Sequence, residues 1–188
     1  MRIFQHRKGG LYRIVGEAKC SETAEPMIVY QDIQGDCQIW TRPKSEWDDG
    51  RFTQIQPEIK IDKVALVCIR DRKLLMLRSH GKTVYYSPGG KREAGETDAE
   101  CLARELSEEI NVELNLDSMA HFGTVIAQSH GSPDGTLVKI TFYTGLFEGT
   151  PIPGDIEEIR WLTYADREIV GCPIKLVMDE LYHKNMIS

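Results

Sequence analysis

The sequence predicts an α+β protein in which a mixed sheet lies between helices and is preceded by a small antiparallel β domain. Residues 1–58 contain only short segments rich in β-branched and aromatic residues, separated by turn-forming residues. Residues 59–188 contain strands, a helix, more strands and a last helix, an order that favours a mixed sheet covered by helices. We therefore expect two domains with a boundary near residue 58.

Three antiparallel strands are the simplest prediction for the first domain. They cover residues 11–18, 27–33 and 37–42. Gln34-Gly35-Asp36 would form the tight turn between the second and third strands. Pro43 would end the third strand because proline has no amide hydrogen to donate to a ladder. Residues 51–60 would link the domains.

The second domain begins with an almost wholly apolar segment, residues 64–69, as expected for a strand buried on both faces. A second strand over residues 74–77 follows a polar turn, and Tyr85 and Tyr86 would extend a third. Further elements are predicted after the first helix. These are strands over residues 121–128, 136–147 and 157–164, and a closing helix over residues 174–183.

The first helix carries a grouped set of acids and has a defined start. Thr97 can accept from the Glu100 amide while Glu100 reaches back to the Thr97 amide, so the helix should begin at Asp98. At about 100° per residue, Leu102, Leu106 and Ile110 share one face. A second face carries three carboxylates, those of Glu105, Glu108 and Glu109. Without a cation these carboxylates would repel one another.

The acids belong to a longer pattern over residues 90–112, which consists of Gly90, Glu96, Arg104, Glu105, Leu106, Glu108, Glu109 and Val112. This pattern resembles the Nudix box. Asn111 departs from the family, which has glycine there, although asparagine is the next most tolerant residue in the left-handed conformation that commonly ends a helix. The order of elements from about residue 60 also resembles the Nudix fold, with an α/β/α sandwich. Residues 6–31 and 39–43 resemble a small bacterial β-domain family of unknown function.

The resemblance implies hydrolysis of the diphosphate bond in a nucleoside diphosphate linked to another group X. Glu105, Glu108 and Glu109 would then be metal ligands, the Gly90 carbonyl would join them, and Arg104 would orient a glutamate. Oxygen-only ligation favours Mg²⁺, with Mn²⁺ as the other choice. Such an ion would neutralise the charge that develops on the leaving phosphate.

Other roles in the reaction stay open at this stage. Glu96 would support the loop or approach the metal. The general base would be a glutamate of the box or a later acid from Asp155, Glu157 and Glu158, of which Glu158 is kept as a catalytic candidate.

Substrate choice lies outside the box. Within the family, additional sequence motifs identify the members that act on coenzyme A, NADH, ADP-ribose or dinucleoside polyphosphates. These motifs are not evident here. A nucleoside triphosphate, including a chemically damaged one, is therefore the leading prediction. Tyr85, Tyr86 and Lys91 are the candidate substrate-binding residues, and a core role for the tyrosines is an equal alternative.

Charge and hydropathy limit the kinds of partner that the protein is expected to bind. The formal net charge of −6 argues against general affinity for nucleic acid. The longest apolar runs fall short of the ~20 residues that a membrane helix needs, and the first ten residues lack the apolar core of a signal peptide. We expect a cytoplasmic protein with a nucleotide-type substrate, no membrane contact and compatibility with a homodimer. The five widely spaced cysteines are expected to be reduced thiols.

Two other function classes remain open. One is a non-catalytic nucleotide sensor on the Nudix fold, although a sensor need not keep Arg104 and all three glutamates. The other is an interaction module in residues 1–58 with hydrolysis incidental. Turnover of a nucleotide panel tests the first, and a binding screen with the N-terminal fragment tests the second.

Overall fold

The computed structural model describes residues 1–188 and contains thirteen strands and three α-helices. The strands are β1 (Ile3–His6), β2 (Leu11–Lys19), β3 (Pro26–Asp32), β4 (Ile39–Pro43), β5 (Phe52–Ile55), β6 (Ile61–Leu66), β7 (Ile69–Arg70), β8 (Lys73–Arg78), β9 (Glu113–Leu114), β10 (Ala120–Gln128), β11 (Leu137–Thr144), β12 (Phe147–Glu148) and β13 (Glu158–Leu162). The helices are α1 (Lys44–Trp47), α2 (Asp98–Ile110) and α3 (Cys172–His183), with 3₁₀ turns at Leu116–Ser118 and Tyr164–Ile169. None of the helices combines the length and the apolar character needed to cross a membrane.

The N-terminal sheet is antiparallel, as predicted, but has five strands rather than three, in the order β4-β3-β2-β1-β5. The prediction that residues 51–60 are only a linker was wrong, because Phe52–Ile55 pairs with Ile3–His6 at the sheet edge. Local sequence patterns do not reveal this pairing, since the two strands are four residues long and far apart in the chain. β4 ends at Pro43 as expected.

The second part of the chain is an α/β/α sandwich. In the sheet β10-β11-β6, β11 runs parallel to β6 and antiparallel to β10. The neighbouring sheet has the order β13-β8-β7. Along β8, Leu74 and Met76 join the core that contains α3, whereas Leu75 and Leu77 join the core that contains α2. Because successive strand residues face opposite sides, the two helices cover opposite faces.

The segment of residues 85–90 bridges β8 and β6. Tyr86 exchanges backbone hydrogen bonds with Leu77, and the amide of Val64 donates to the carbonyl of Gly90. The expected third strand at Tyr85 and Tyr86 is therefore reduced to isolated bridges. This segment brings two glycines, Gly89 and Gly90, against α2.

Helix α2 confirms the predicted start and end. Thr97 and Glu100 form both bonds of the capping box. Asn111 adopts the left-handed conformation, with φ of 54°. Backbone amides of the loop before β13 reach the last carbonyls of the helix, since Gly154 donates to Glu109 and Asp155 donates to Glu108. The exit is thus well satisfied although glycine is absent.

The N-terminal sheet and the sandwich share one hydrophobic core. Ile3, Leu11 and Ile33 are buried in the same cluster as residues of β8, β10, β11 and α3. A buried polar contact adds to it, because Gln31 Nε2 donates to Asp179 Oδ2 at 2.7 Å. Residues 1–58 therefore pack on residues 59–188 through a continuous apolar contact.

The expectation that all five cysteines are reduced thiols was wrong. Cys37, in the loop between β3 and β4, is disulfide-bonded to Cys172 at the start of α3, and their Cα atoms are 5.9 Å apart. Cys20, Cys68 and Cys101 are free. The pairing depends on the packing of the N-terminal sheet against α3, which sequence spacing alone does not reveal.

Candidate active site

Helix α2 and the Gly89-Gly90 segment form the centre of the site. The Gly89 amide donates to Glu109 Oε2 at 2.8 Å. The Glu105 carboxylate lies so close to Gly90 that any Cβ there would overlap it. The Gly90 carbonyl accepts from the Val64 amide at 3.0 Å and from Cys101 Sγ at 3.9 Å. The carboxylates of Glu105 and Glu109 are thus brought against the Gly89-Gly90 segment.

Arg104 connects the acids of the box. Its guanidinium donates to both carboxylate oxygens of Glu96, at 2.7 and 3.0 Å, and to Glu105 and Glu108 at 3.1 Å each. A further bond goes to the Lys91 carbonyl at 3.1 Å. The bonds from Arg104, with one from the Glu93 amide, lower the pKa of Glu96 to about 2. The structure therefore puts Arg104 in contact with two predicted metal ligands, and puts Glu96 beside Arg104.

Glu109 is the buried acid, with 8% of its surface exposed. Burial raises the pKa of its carboxyl to about 7, the Gly89 hydrogen bond opposes that rise, and the charge of Glu105 adds to it. A buried carboxylate beside another carboxylate is electrostatically costly in the absence of a cation. The pair Glu105 and Glu109 is therefore a suitable place for a positive ion.

No group of three histidine, cysteine, aspartate or glutamate side chains is already arranged around one point as metal ligands. Glu108 and Glu105 are instead turned toward Arg104. The donor chemistry nevertheless fits a hard cation, because every available group is a carboxylate or carbonyl oxygen. Occupation by an ion would require Glu108 to turn from Arg104 toward the other two acids.

A cavity of about 590 Å³ opens beside these acids. One part of its wall is formed by Glu105, Glu109 and the two glycines. The wall also contains Tyr85 and Tyr86, the two tyrosines that were candidates for binding the substrate. Other parts of its wall are formed by Ser129, His130, Val138, Ile140, Gly171, Pro173 and Ile174. A volume of this size lies in the range of small-molecule sites.

Five predicted site residues lie outside the cavity wall, namely Lys91, Glu96, Arg104, Glu108 and Glu158. Lys91 is exposed, and it contributes a carbonyl to Arg104 rather than a side chain to the cavity. Glu158 accepts from Arg78 and from the Tyr85 hydroxyl, both at 2.8 Å, and these bonds lower its pKa. Glu158 therefore orients Tyr85 in this structure.

Sequence reasoning missed cavity residues with functional chemistry, among them Lys63 and His130. Lys63 lines the cavity near Glu109 and its positive charge opposes the rise in the pKa of that acid. His130 lines it from the loop after β10. The available signal for Lys63 was a charged residue directly before the buried run that starts at Val64. For His130 no comparable local signal exists.

The raised pKa of Glu109 predicts a pH-dependent stability difference in metal-free protein. The unfolded carboxyl titrates near 4.5 and the folded one near 7, so the folded state binds the proton more tightly. Stability is therefore lost as pH rises between these values. Relative to wild type, Glu109→Gln should gain stability by pH 8, on the order of 2 kcal/mol, and gain little at pH 4.5.

Thermal melting in EDTA at both pH values measures this difference. Glu113→Gln, at an exposed position in β9, is the matched control and should melt like wild type at both. A Glu109→Gln advantage that is equal at the two pH values would contradict the prediction.

Comparison with known proteins identifies the family of the chain. The NUDIX domain profile matches residues 60–174, more than half of the chain, and a family described as a protein of unknown function (DUF1653) matches residues 2–54. The chain therefore belongs to the Nudix family. It is a hydrolase of the class that acts on pyrophosphate bonds. No curated protein sequence matches the chain.

Solved structures resemble the second part of the chain in fold. A NUDIX hydrolase from Nitrosomonas europaea is 20% identical with a TM-score of 0.54, over 70% of this chain and 92% of that one. The MutT protein from Methanosarcina mazei Go1 is 18% identical with a TM-score of 0.52, over 70% and 98% of the respective chains. The E. coli ORF135 protein is 21% identical with a TM-score of 0.51, over 66% and 89%. These similarities confirm the fold.

Proposed function

We propose that this protein is a Mg²⁺-dependent pyrophosphohydrolase that cleaves the diphosphate bond of a nucleoside diphosphate linked to X, with a nucleoside triphosphate as the leading substrate. The observation that carries the proposal is the 590 Å³ cavity with Glu105 and Glu109 in its wall. It offers space for an organic group next to acids that can hold a cation for the phosphates.

The donor set supports Mg²⁺, with Mn²⁺ as an alternative. Glu105, Glu108, Glu109 and the Gly90 carbonyl would hold it, since all provide the hard oxygen ligands that these ions prefer. When bound, the ion would neutralise charge on the diphosphate and help to position a water. Arg104 would keep Glu105 oriented when the ion is bound.

Other residues would act directly on the substrate. The Lys63 ammonium, near Glu109 in the cavity, would bind a phosphate oxygen. Tyr85 and Tyr86 would border the organic part of the substrate, with Tyr85 held by its hydrogen bond to Glu158. Position favours Glu109 or Glu105 as the group that takes the proton from water, because both line the cavity and Glu158 does not.

Hydrolysis of a nucleotide panel tests the proposal. Canonical and oxidised nucleoside triphosphates, nucleotide sugars and dinucleotides are incubated with Mg²⁺ or with Mn²⁺, and the products are identified by chromatography. We expect a nucleoside triphosphate to give the monophosphate and pyrophosphate. Glu105→Gln protein prepared in parallel controls for contaminating phosphatases. Equal turnover by both preparations would refute the assignment of the site.

The alternative function is a nucleotide sensor or interaction protein that uses the fold for binding. One observation supports this alternative. Glu105 and Glu108 form ion pairs with Arg104, and this arrangement stabilises the two acids without a metal. Tight nucleotide binding by calorimetry without turnover of any panel member would support the sensor over the hydrolase.

We propose a domain boundary near residue 58, which is supported by profile matches that end at residue 54 and resume at residue 60. A fragment of residues 59–188 keeps the acids and the cavity-lining residues but exposes the apolar surface that packs on Ile3, Leu11 and Ile33. We expect it to retain hydrolysis with a raised KM and to melt at least ~5 °C lower than the full chain.

Melting and steady-state kinetics of the fragment and the full chain measure this expectation. A folded fragment that binds Mg²⁺ but lacks turnover would mean that residues 1–58 supply a catalytic group. In that case His6, Arg7 and Arg13 would be the first residues to replace.

The remaining proposals concern location and partners. A nucleotide substrate favours the cytoplasm, and the net charge of −6 argues against general binding to nucleic acid. We propose no binding to a membrane. Assembly into a homodimer is compatible with the proposed activity. In the cytoplasm, where cellular thiols keep most cysteines reduced, a disulfide such as Cys37–Cys172 is usually transient or redox-sensing.

A further inference from the structure

The Cys37–Cys172 disulfide joins the N-terminal sheet to the wall of the cavity. Cys37 has none of its surface exposed and Cys172 has 8%, and they are separated by 135 positions in the sequence. Cys172 lies between Gly171 and Pro173, which both line the cavity. No residue from 1–58 lines the cavity itself. The disulfide thus connects the sheet to the substrate site from behind the wall.

Polar contacts surround this bond. Gln31 Nε2 donates to the Cys37 carbonyl at 2.8 Å and to Asp179 of α3 at 2.7 Å. The Arg167 guanidinium donates to both Asp179 oxygens, at 2.7 and 3.0 Å, and to the Cys37 carbonyl at 3.2 Å. Because Gln31 is fully buried and Asp179 nearly so, these bonds keep buried polar groups satisfied. The loop that contains Cys37 is therefore held against α3 by several contacts.

A second contact, from Ile33 directly after β3, reaches another segment of the same wall. The Ile33 carbonyl accepts from the Gln128 amide at 2.8 Å, and Gln128 directly precedes Ser129 and His130 of the cavity wall. His130 in turn packs on Gly171, since a Cβ placed there would lie 3.2 Å from the His130 Cβ. Both segments of the wall are thus supported by the N-terminal sheet.

We propose that residues 1–58 brace this wall, defined as residues 129–130 and 171–174, and that the Cys37–Cys172 disulfide is the redox-controlled tie of the brace. A dithiol reductant would break the S–S bond by thiol–disulfide exchange, leave a protonated thiol on each cysteine and become a disulfide itself. A low-molecular-weight disulfide would supply the reverse oxidation. The tie acts on substrate affinity, because it touches the wall and not the acids. This inference rests on the proposed function only for its kinetic readout.

Thiol counting and hydrogen–deuterium exchange test the brace without any activity measurement. Denatured oxidised protein should show three free thiols, from Cys20, Cys68 and Cys101, and five after dithiothreitol. Reduction should speed exchange at the wall segments 126–135 and 168–177 and leave the acid helix 98–110 unchanged. Five thiols in protein treated with oxidised glutathione, or exchange at the wall that does not respond to reduction, would overturn the proposal.

Kinetics on the full chain then separate positioning from chemistry. Reduction should raise KM by roughly fivefold or more, the lower end of typical coupling between sites. The kcat at saturating substrate should stay within about twofold of the oxidised value, since transition-state contacts are kept. Cys37→Ser should show the raised KM with or without dithiothreitol. Cys20→Ser, which removes a free thiol outside the tie, should respond like wild type.

The outcomes are distinguishable. A fall in kcat with unchanged KM would overturn the brace, because it would mean that the bond affects the acids. If Cys37→Ser does not fold, the comparison of reduced and oxidised wild type alone decides. If no nucleotide is hydrolysed, the proposed function fails, while the exchange measurement still decides whether the wall is braced.

Discussion

Replacing Glu109 with glutamine is expected to lower hydrolysis by about two to three orders of magnitude, the scale of losing one electrostatic group at a reacting centre. The substitution keeps the shape of the side chain, and its amide oxygen can still accept from the Gly89 amide. It removes a negative charge from the wall of the cavity, where the cation would bind. The fold should persist, because the charged form of this buried acid is already disfavoured.

Steady-state turnover at saturating Mg²⁺, with melting of the same samples, measures the effect. Glu108→Gln should fall in the same direction, since its carboxylate belongs to the same predicted ligand set. Glu113→Gln is the control for loss of an exposed charge near the end of the helix. Near-normal turnover of Glu109→Gln would show that the assignment of the site is wrong.

Replacing Gly89 with alanine is expected to destabilise the fold by more than about 3 kcal/mol, which is in the range of severe single substitutions. Gly89 has φ of 131°, a conformation that residues with a Cβ rarely adopt. The new Cβ would overlap the Val64 carbonyl oxygen and lie 2.8 Å from the Ala65 Cα. Neither backbone atom can move away without disturbing β6.

Urea denaturation and the soluble yield on expression measure this loss. Gly123→Ala provides the matched control, because Gly123 lies in β10 with nothing within 4 Å of the added Cβ and without a positive φ. Gly89→Ala that unfolds at the same urea concentration as Gly123→Ala would contradict the close packing of the segment on β6.

Glu109 and Gly89 contribute to the same buried site in different ways. Glu109 supplies the buried carboxyl group. Gly89 allows the backbone to pack closely against β6 and to donate a hydrogen bond to that carboxyl group. Arg104 and Glu96 complete it, because the bonds between them hold the loop of residues 90–97 against α2. The site therefore depends on backbone geometry as much as on carboxylates.

Local sequence patterns were sufficient to predict the acid helix. The capping box at Thr97 and Glu100, the apolar stripe and the left-handed end at Asn111 all depend on residues within a few positions of one another. Because a helix obeys a single short period, its faces follow from the sequence alone. The same holds for the family resemblance based on residues 90–112, whereas the single strand predicted over residues 64–69 is divided between β6 and β7.

Only the tertiary structure decided which distant segments meet. The strand pair of β1 and β5, the placement of Lys63 and His130 in the cavity, and the Cys37–Cys172 bond each join residues that are far apart in the chain. Such contacts depend on how whole sheets and helices pack, and local periodicity carries no record of that packing. The sequence by itself thus determined the acid helix and the class of chemistry, whereas long-range packing decided the shape of the cavity and its connection to the N-terminal sheet.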